Sequence, residues 1–442
     1  MAIIRKVKTM KIKGFVISVI TVGAALLSLS ACSNKKSTDS DNGDKVTIRM
    51  SWWGGDSRHK AMQAAIKAFE KKNPNITVKT EFGGFDSYQE KLTTQLSGGT
   101  APDVMRIDGN WITTYKDQLV DMSSMGKELG ASNFTKDKLA AAKVDGKQLG
   151  MPVSTIYRQL FVNKSALAKY GVAEPKTWED LFAARSKLPN DVFPFYSYYQ
   201  PKSVTSLLLL QIMAEQTGKP VGNADNKLLY TKKDFTKAVK YYKSLVDKKI
   251  TPSKKEIDNS GIVEGAPFPG IVNQKWLSLF SWNTDINVFA TQFEDMGATL
   301  DIVPALTMKN GKSTGELSKP SAFYSIPKSS KHQQAAAKLI NFMLNDPTAA
   351  KLQKVENGVP DSKVARNTLE KAGLITPLMK KSLKIAEGTV DTKMANVYRW
   401  DQPTTMEAAS DAFTQLDYGK TDVDGAATLL YNAFKEQESE FK

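Results

Sequence analysis

The sequence predicts an α/β fold, and three observations predict it. Short runs alternate apolar and polar side chains, the period of a half-buried strand. Longer runs place apolar residues at helical spacing. The two patterns take turns, strand–helix–strand–helix–strand, within about 60 residues from Val46 to Ile107, which implies βαβ units and a parallel sheet with helices on its faces.

The elements follow in order. Val46 to Trp52 alternates as a strand. Lys60 to Lys72 (KAMQAAIKAFEKK) reads as a helix, and Asn73-Pro74 stops it. Ile76 to Phe82 is a second strand, and Ser87 to Leu96 a second helix ended by Gly98-Gly99. Asp103 to Ile107 is a third strand. Beyond these, helical spacing dominates: Trp178 to Leu181, with Thr177 as its cap, then Ser203 to Gln216, Lys233 to Lys248, Gln333 to Leu344 and Asp424 to Glu438. Strand patterns recur at Gln159 to Val162, Trp276 to Ser281, Leu300 to Pro304 and Ala322 to Ile326. A chain of 442 residues exceeds what one compact core usually holds, so two or three domains are expected.

The N-terminus has its own logic. Five cations (Arg5, Lys6, Lys8, Lys11, Lys13) precede a 15-residue apolar run, Phe15 to Leu29, with no acid before Cys32. This is the pattern of a secretory signal, and the run is short for a membrane span. Leu29-Ser-Ala-Cys32 resembles the bacterial lipobox. That implies cleavage before Cys32, lipid on its sulfur and amine, and tethering to the outer face of a membrane. Lipidation also accounts for an unpaired thiol on a secreted chain. Ser33 to Asp44 has no large apolar residue and reads as a flexible tether.

The net charge is +15, of which the signal carries five, leaving +10 on residues 32–442. The lysines are scattered beside acids at helical spacings, which reads as a solvated basic exterior, and outside the cell nucleic acid is not the expected partner. Cys32 is the only cysteine, so no disulfide forms within the chain. Two histidines, His59 and His332, and one cysteine give no His/Cys metal cluster. Neither a nucleophile-elbow motif nor a phosphate-cradling loop is present. His332 reads as a surface residue at a helix start. Among 46 acids no local pattern nominates a catalytic carboxylate pair.

Aromatic residues are more informative. Trp52 and Trp53 end the first strand, Trp111 follows the third, Tyr196 lies in a Pro-flanked loop with Tyr198 and Tyr199, Trp282 ends a later strand, and Trp400 sits in Tyr398-Arg-Trp-Asp-Gln. Ligands of open α/β sheets bind beyond the carboxyl ends of the strands. An aromatic face there can stack on the C–H face of a sugar, with polar neighbours bonding its hydroxyls. Trp178, at a capped helix start, reads as structural.

Several segments carry a family resemblance. Ala65 to Val78 (AIKAFEKKNPNITV) and Tyr88 to Val104 (YQEKLTTQLSGGTAPDV) are similar to the opening of the extracellular sugar-binding proteins of ABC importers. Leu149-Gly-Met-Pro-Val153, Phe161-Val-Asn-Lys164, Pro175-Lys-Thr-Trp178, Ser325 to Lys331 and Asn357-Gly-Val-Pro360 follow in that family's order. Any one motif is weak, but the ordered set covers nearly the whole chain after Cys32.

The resemblance implies a two-lobed, periplasmic-binding-protein-like α/β fold with a hinge and a ligand cleft between lobes. It implies a signal at 1–31, a tether at 32–44, a first lobe at 45–152 and 306–357, and a second at 153–305 and 358–442. The chain would cross at Met151 to Val153, Pro304 to Leu306 and Gly358 to Pro360. Carried over motif by motif, the cleft would hold Trp52, Trp53, Asp56, Arg58, Asp108, Asn110, Trp111 and Tyr157, and from the second lobe Tyr196, Trp282, Asn283 and Trp400. Phe280-Ser281 depart from the Gly or Pro that many members carry before the tryptophan matched by Trp282, which implies a differently shaped loop. Trp52 to His59 also resembles members that take up pectin-derived oligosaccharides, with Arg58 placed for a uronate carboxylate. The implied protein is a lipid-anchored monomeric receptor on the extracellular face. It hands sugar to an ABC permease and uses no cofactor, metal or catalysis. A lipid-anchored carbohydrate hydrolase and a glycan adhesin are the alternatives.

Overall fold

A computed structural model describes residues 45–196, 203–223, 225–259, 274–390 and 397–441. The signal, Cys32 and the tether lie outside the described residues, as do Tyr198 and Tyr199.

The N-terminal rhythm folds as its periodicity dictates. Strand β1 (Val46–Trp53) leads through Gly54-Gly55 into helix α1 (Asp56–Lys72), which buries Met62, Ala65, Ile66 and Phe69. Strand β2 (Ile76–Gly83) pairs parallel to β1, helix α2 (Phe85–Ser97) follows, and β3 (Val104–Ile107) pairs parallel to the other edge of β1. A small hairpin, β4 (Lys143–Val144) and β5 (Lys147–Gln148), precedes the long strand β6 (Met151–Asn163).

Strand β6 organises the rest. Its first half pairs antiparallel with β9 (Ser318–Ser325), which in turn pairs with β3. Its second half pairs antiparallel with β7 (Ser278–Trp282) and β8 (Leu300–Val303). The sheet order is β2-β1-β3-β9-β6-β7, with β8 also on β6. Register shifts between Pro152 and Thr155 interrupt the β6–β9 ladder within the first half of β6.

Apolar burial sorts around this strand. One cluster collects Ile48, Met50, Ile107, Val153, Ala322 and Phe323 with the helix Gln333–Asn345. Another collects Leu160, Val162, Trp178, Leu207 to Leu210, Phe280, Leu306, Leu317 and Trp400. A third, around Phe161, Trp276, Phe289 and Ile302, lies on β7 and β8 and takes in Leu369 and Met379. The Trp178 helix is capped as its sequence predicts. The Thr177 hydroxyl accepts from the Asp180 amide, the Asp180 carboxylate accepts in return, and the Trp178 ring is fully buried.

Three segments meet at the middle of β6. The Ser154 hydroxyl lies 2.6 Å from the Ser321 hydroxyl of β9 and donates to the Asn357 carbonyl at 2.5 Å, and Ser154 also bridges to Pro360. Gly358 holds φ at +84°, and a Cβ there would stand 2.7 Å from the Ser154 oxygen. The turn therefore needs glycine for both its backbone and its close approach.

Candidate functional site

Alternation along β1 sends its two terminal tryptophans to opposite faces. Trp52 turns toward α1, where it is fully buried. Its indole N–H donates to His59 Nδ1 at 3.1 Å, and its ring stacks on Phe82 at 5.3 Å. The desolvated surroundings lower the pKa of His59. Trp52 thus builds the first core instead of facing a cleft. Trp53, on the other face, joins an aromatic group with Tyr88 and Trp111, both at 5.4 Å. Phe85 stacks on Trp111 at 5.3 Å and keeps 41% of its surface exposed.

Two guanidinium groups adjoin this aromatic group. Arg106 lies 4.3 Å from the Trp53 ring centroid, and burial pushes its pKa down to about 9. Arg58 folds back over Gly54, where a Cβ would meet its side chain at 2.7 Å. Arg58 donates from Nε to the Glu356 carbonyl at 2.9 Å and from Nη1 to the Trp53 carbonyl at 3.3 Å. Arg58 therefore ties the first strand's exit loop to the Glu356 segment beside Gly358. Asp56 is exposed in the first turn of α1.

After β3, the Asp108 carboxylate accepts the Asn110 amide at 2.9 Å and caps a short turn, Gly109–Trp111. Gly109 permits close approach to β9, since a Cβ would sit 2.7 Å from the Pro320 carbonyl. The turn aims Asn110 across at the segment bearing Trp400. Asn110 Nδ2 donates to the Asp401 carbonyl at 2.9 Å, and Gln402 Nε2 donates back to the Asn110 carbonyl at 3.0 Å. The Asn110 side-chain oxygen is buried without a partner among the described residues.

On the opposite side, Asn283 accepts the Tyr157 amide on its side-chain oxygen at 3.1 Å, which fixes the loop after β7 against β6. The Ser281 hydroxyl donates to the half-buried Asp285 carboxyl, which desolvation pushes up to about 6. Trp282 and Tyr157 are half-buried. Lys319 of β9 lies between the two sides. Its ammonium is 5.5 Å from the Trp282 ring centroid and 3.5 Å from Asp108 Oδ1, with 11% of its side chain exposed. Behind it, Arg158 is buried against the Phe280 ring at 5.0 Å. Both its terminal nitrogens, and both Glu316 carboxyl oxygens, lack direct partners among the described residues. Burial pushes Asp401 up to about 6 and Glu316 up to about 7.

The expected set therefore divides. Asp108 and Trp282 are linked through Lys319, Asn110 follows Asp108, and Tyr157 bonds Asn283, whereas Trp53 and Trp111 are buried in the first core. Trp52, Tyr196 and Trp400 lie inside cores, against the cleft positions expected from their sequence. Tyr196 is fully buried and stacks on Trp276 at 3.7 Å, and Trp400 packs between Phe434 and Phe441. Sequence reasoning missed Phe85, Arg106, Arg158, Glu316, Lys319 and Gln402. Phe85 was legible as an aromatic at a strand exit, but the others carry no local signal. Among the described residues no group of three or more His, Cys, Asp and Glu side chains can hold a metal, and no helix is long and apolar enough to cross a membrane.

Comparison with known proteins places this geometry. The family described as bacterial extracellular solute-binding protein matches residues 55–350. A periplasmic solute binding protein from Pectobacterium atrosepticum has 32% identity and a TM-score of 0.83, over 90% of this chain and 100% of that one. A periplasmic oligogalacturonide binding protein from Yersinia enterocolitica, in complex with saturated digalacturonic acid, has 28% identity and a TM-score of 0.79 over the same shares. Proteins described as de novo designed esterases share the fold at 28% identity and a TM-score of 0.75. The melibiose/raffinose/stachyose-binding protein of Bacillus subtilis is 25% identical over 40% of this chain and 42% of its own. The chain spans about half the length of the first curated relatives it matches, 46% in each.

Proposed function

The chain belongs to the bacterial extracellular solute-binding protein family, and on that premise we propose that it is the extracytoplasmic sugar receptor of an ABC importer. It captures an oligosaccharide between two lobes and presents the closed form to the permease. The lobes divide at β6, at β9 and at the Asn357 to Asp361 segment. The packing of Leu306 and Leu317 in the second core supports a return crossing along β9, later than the Pro304 to Leu306 position the family resemblance implies.

One observation carries the reading. Lys319 reaches both the Asp108 carboxylate, at 3.5 Å, and the Trp282 ring, at 5.5 Å from its centroid, and Asn283 accepts the Tyr157 amide, so aromatic and polar groups from distant segments lie close together along one seam. Aromatic faces beside fixed polar groups suit a sugar's C–H face and its hydroxyls. A sugar that touches both sides binds the closed form better and so shifts the population toward it.

The ligand includes uronate-bearing oligosaccharides. The excess of cations over acids and the digalacturonic acid held by a neighbour of 28% identity support that class. The protein acts as a monomer and is held to the membrane by lipid on Cys32. Cys32→Ser releases it from the membrane fraction and impairs uptake, with sugar affinity unchanged. Retention at the membrane, or lost affinity, contradicts the anchor.

A thermal-shift screen over neutral and acidic oligosaccharides tests the receptor reading. A raised melting temperature for at least one sugar is expected, and no shift with any sugar contradicts it. A hydrolase is the second reading, favoured by the raised carboxyls of Glu316 and Asp401 beside the seam. Products released from those same sugars by pure protein would support it.

A further inference from the structure

We infer that Lys319 sets the receptor's choice between acidic and neutral sugars, by yielding the face of Trp282 to the ligand and serving as counter-ion to its carboxylate. This rests on the reading of the seam as a sugar site.

Lys319 lies on β9, where the chain passes from Leu317 in the second core to Ala322 in the first. It touches both walls at once, through the Asp108 carboxylate on one and the Trp282 ring on the other. An ammonium over an aromatic ring and a sugar stacked on that ring use the same π face. A sugar that stacks on the Lys319 side of Trp282 must move the ammonium off it.

What the ammonium gains afterwards depends on the ligand. A neutral sugar offers only hydroxyls in place of the ring, so part of its binding energy is spent on the displacement. A uronate offers an ionised carboxylate, and a charge-assisted N–H···O bond is about twice as strong as a neutral one. The ammonium has three protons to give. The hydrogen bond to Asp108 Oδ1 takes one. Asp108 and Asp401 are the acids that act on this cation. Asp108 is also engaged by the Asn110 amide, and Asp401 by the Ser206 hydroxyl at 2.6 Å, so both acids have their charge partly satisfied elsewhere. The expected uronate ligand Arg58 is a weaker candidate, because its Nε and Nη1 already donate to the Glu356 and Trp53 carbonyls.

Titration calorimetry of the purified protein with digalacturonate, and with the neutral galactose disaccharide of the same linkage, tests this. Wild type binds digalacturonate at least tenfold more tightly than the neutral sugar. Lys319→Met weakens digalacturonate at least tenfold and leaves the neutral sugar equal or tighter, while Lys319→Arg keeps most of the preference. A far-ultraviolet spectrum and a sugar-free melting curve confirm that each variant is folded. Equal losses for both sugars in Lys319→Met, or no loss, overturn the inference. Wild-type binding of the neutral sugar alone also overturns it and leaves the receptor reading standing. Binding of neither sugar, nor of any oligosaccharide in a wider panel, overturns both.

Discussion

Trp282 and Trp400 show how much one side chain's surroundings decide its role. Trp282 is half-buried with a lysine ammonium over its ring, whereas Trp400 is 1% exposed between two phenylalanines, with Gly222 kept bare against its indole. Trp400→Ala is expected to cost about 3–5 kcal/mol of folding stability, the range for truncating a large buried aromatic, and to leave the sugar affinity of the folded fraction unchanged. Denaturant melts and titration of the same sample check both parts. Glu316 makes a pH prediction. Burial raises its folded pKa from 4.5 to about 7, so between those values the folded state holds the proton that the unfolded state has lost. Stability therefore falls as pH rises through that window and stays lower above it. Glu316→Gln removes the ionisable group that burial penalises, while Thr389 and the Arg158 charge, which favour the ionised form, act against that penalty. The variant is expected to lose the fall in stability between pH 5 and pH 8 that wild type shows, so that it gains on wild type as pH rises. An equal difference at both pH values would contradict this.

At the scale of elements, most of the helices were legible because their apolar stripes are local. The helix expected at Lys233 to Lys248 runs Lys232–Asp247, and that expected at Asp424 to Glu438 runs Val423–Glu440. Each is opened by a capping side chain, Thr231 and Asp422. Strand β6 was not legible at full length. Only Gln159 to Val162 reads as strand, yet 13 residues are extended, because the first half is held by pairing to β9 more than 150 residues away, through a shifted register. The seam was legible only as a set of strand-end aromatics. Which of them face it depends on long-range packing, such as Phe434 and Phe441 against Trp400, that no local pattern contains. Gly358→Ala forces a side chain into a left-handed backbone and against the Ser154 oxygen. A loss of about 1–3 kcal/mol is expected, read from denaturant melts, and unchanged stability would contradict the tight crossing.

Across the whole molecule, three apolar clusters lie along one continuous strand, β6, and polar contacts link segments far apart in sequence. Asn110 bonds Asp401 and Gln402, Lys319 bonds Asp108, and Arg58 bonds the Glu356 carbonyl. Under the proposed two-lobe reading, such contacts would be exchanged for contacts with a ligand when the lobes close. The sequence was explicit about the α/β class and, through its ordered motifs, about the family. It was silent about Lys319, whose importance comes from lying between Asp108 and Trp282, residues it meets only in the folded chain. The account stands or falls on whether sugar binds at this seam. Titration calorimetry of wild type and Trp282→Ala with the oligosaccharide that most raises the melting temperature measures this directly. Saturable one-to-one binding by wild type, weakened about tenfold in the variant as the loss of an aromatic contact of about 1.4 kcal/mol would give, is the predicted result. Undiminished binding by Trp282→Ala would contradict it.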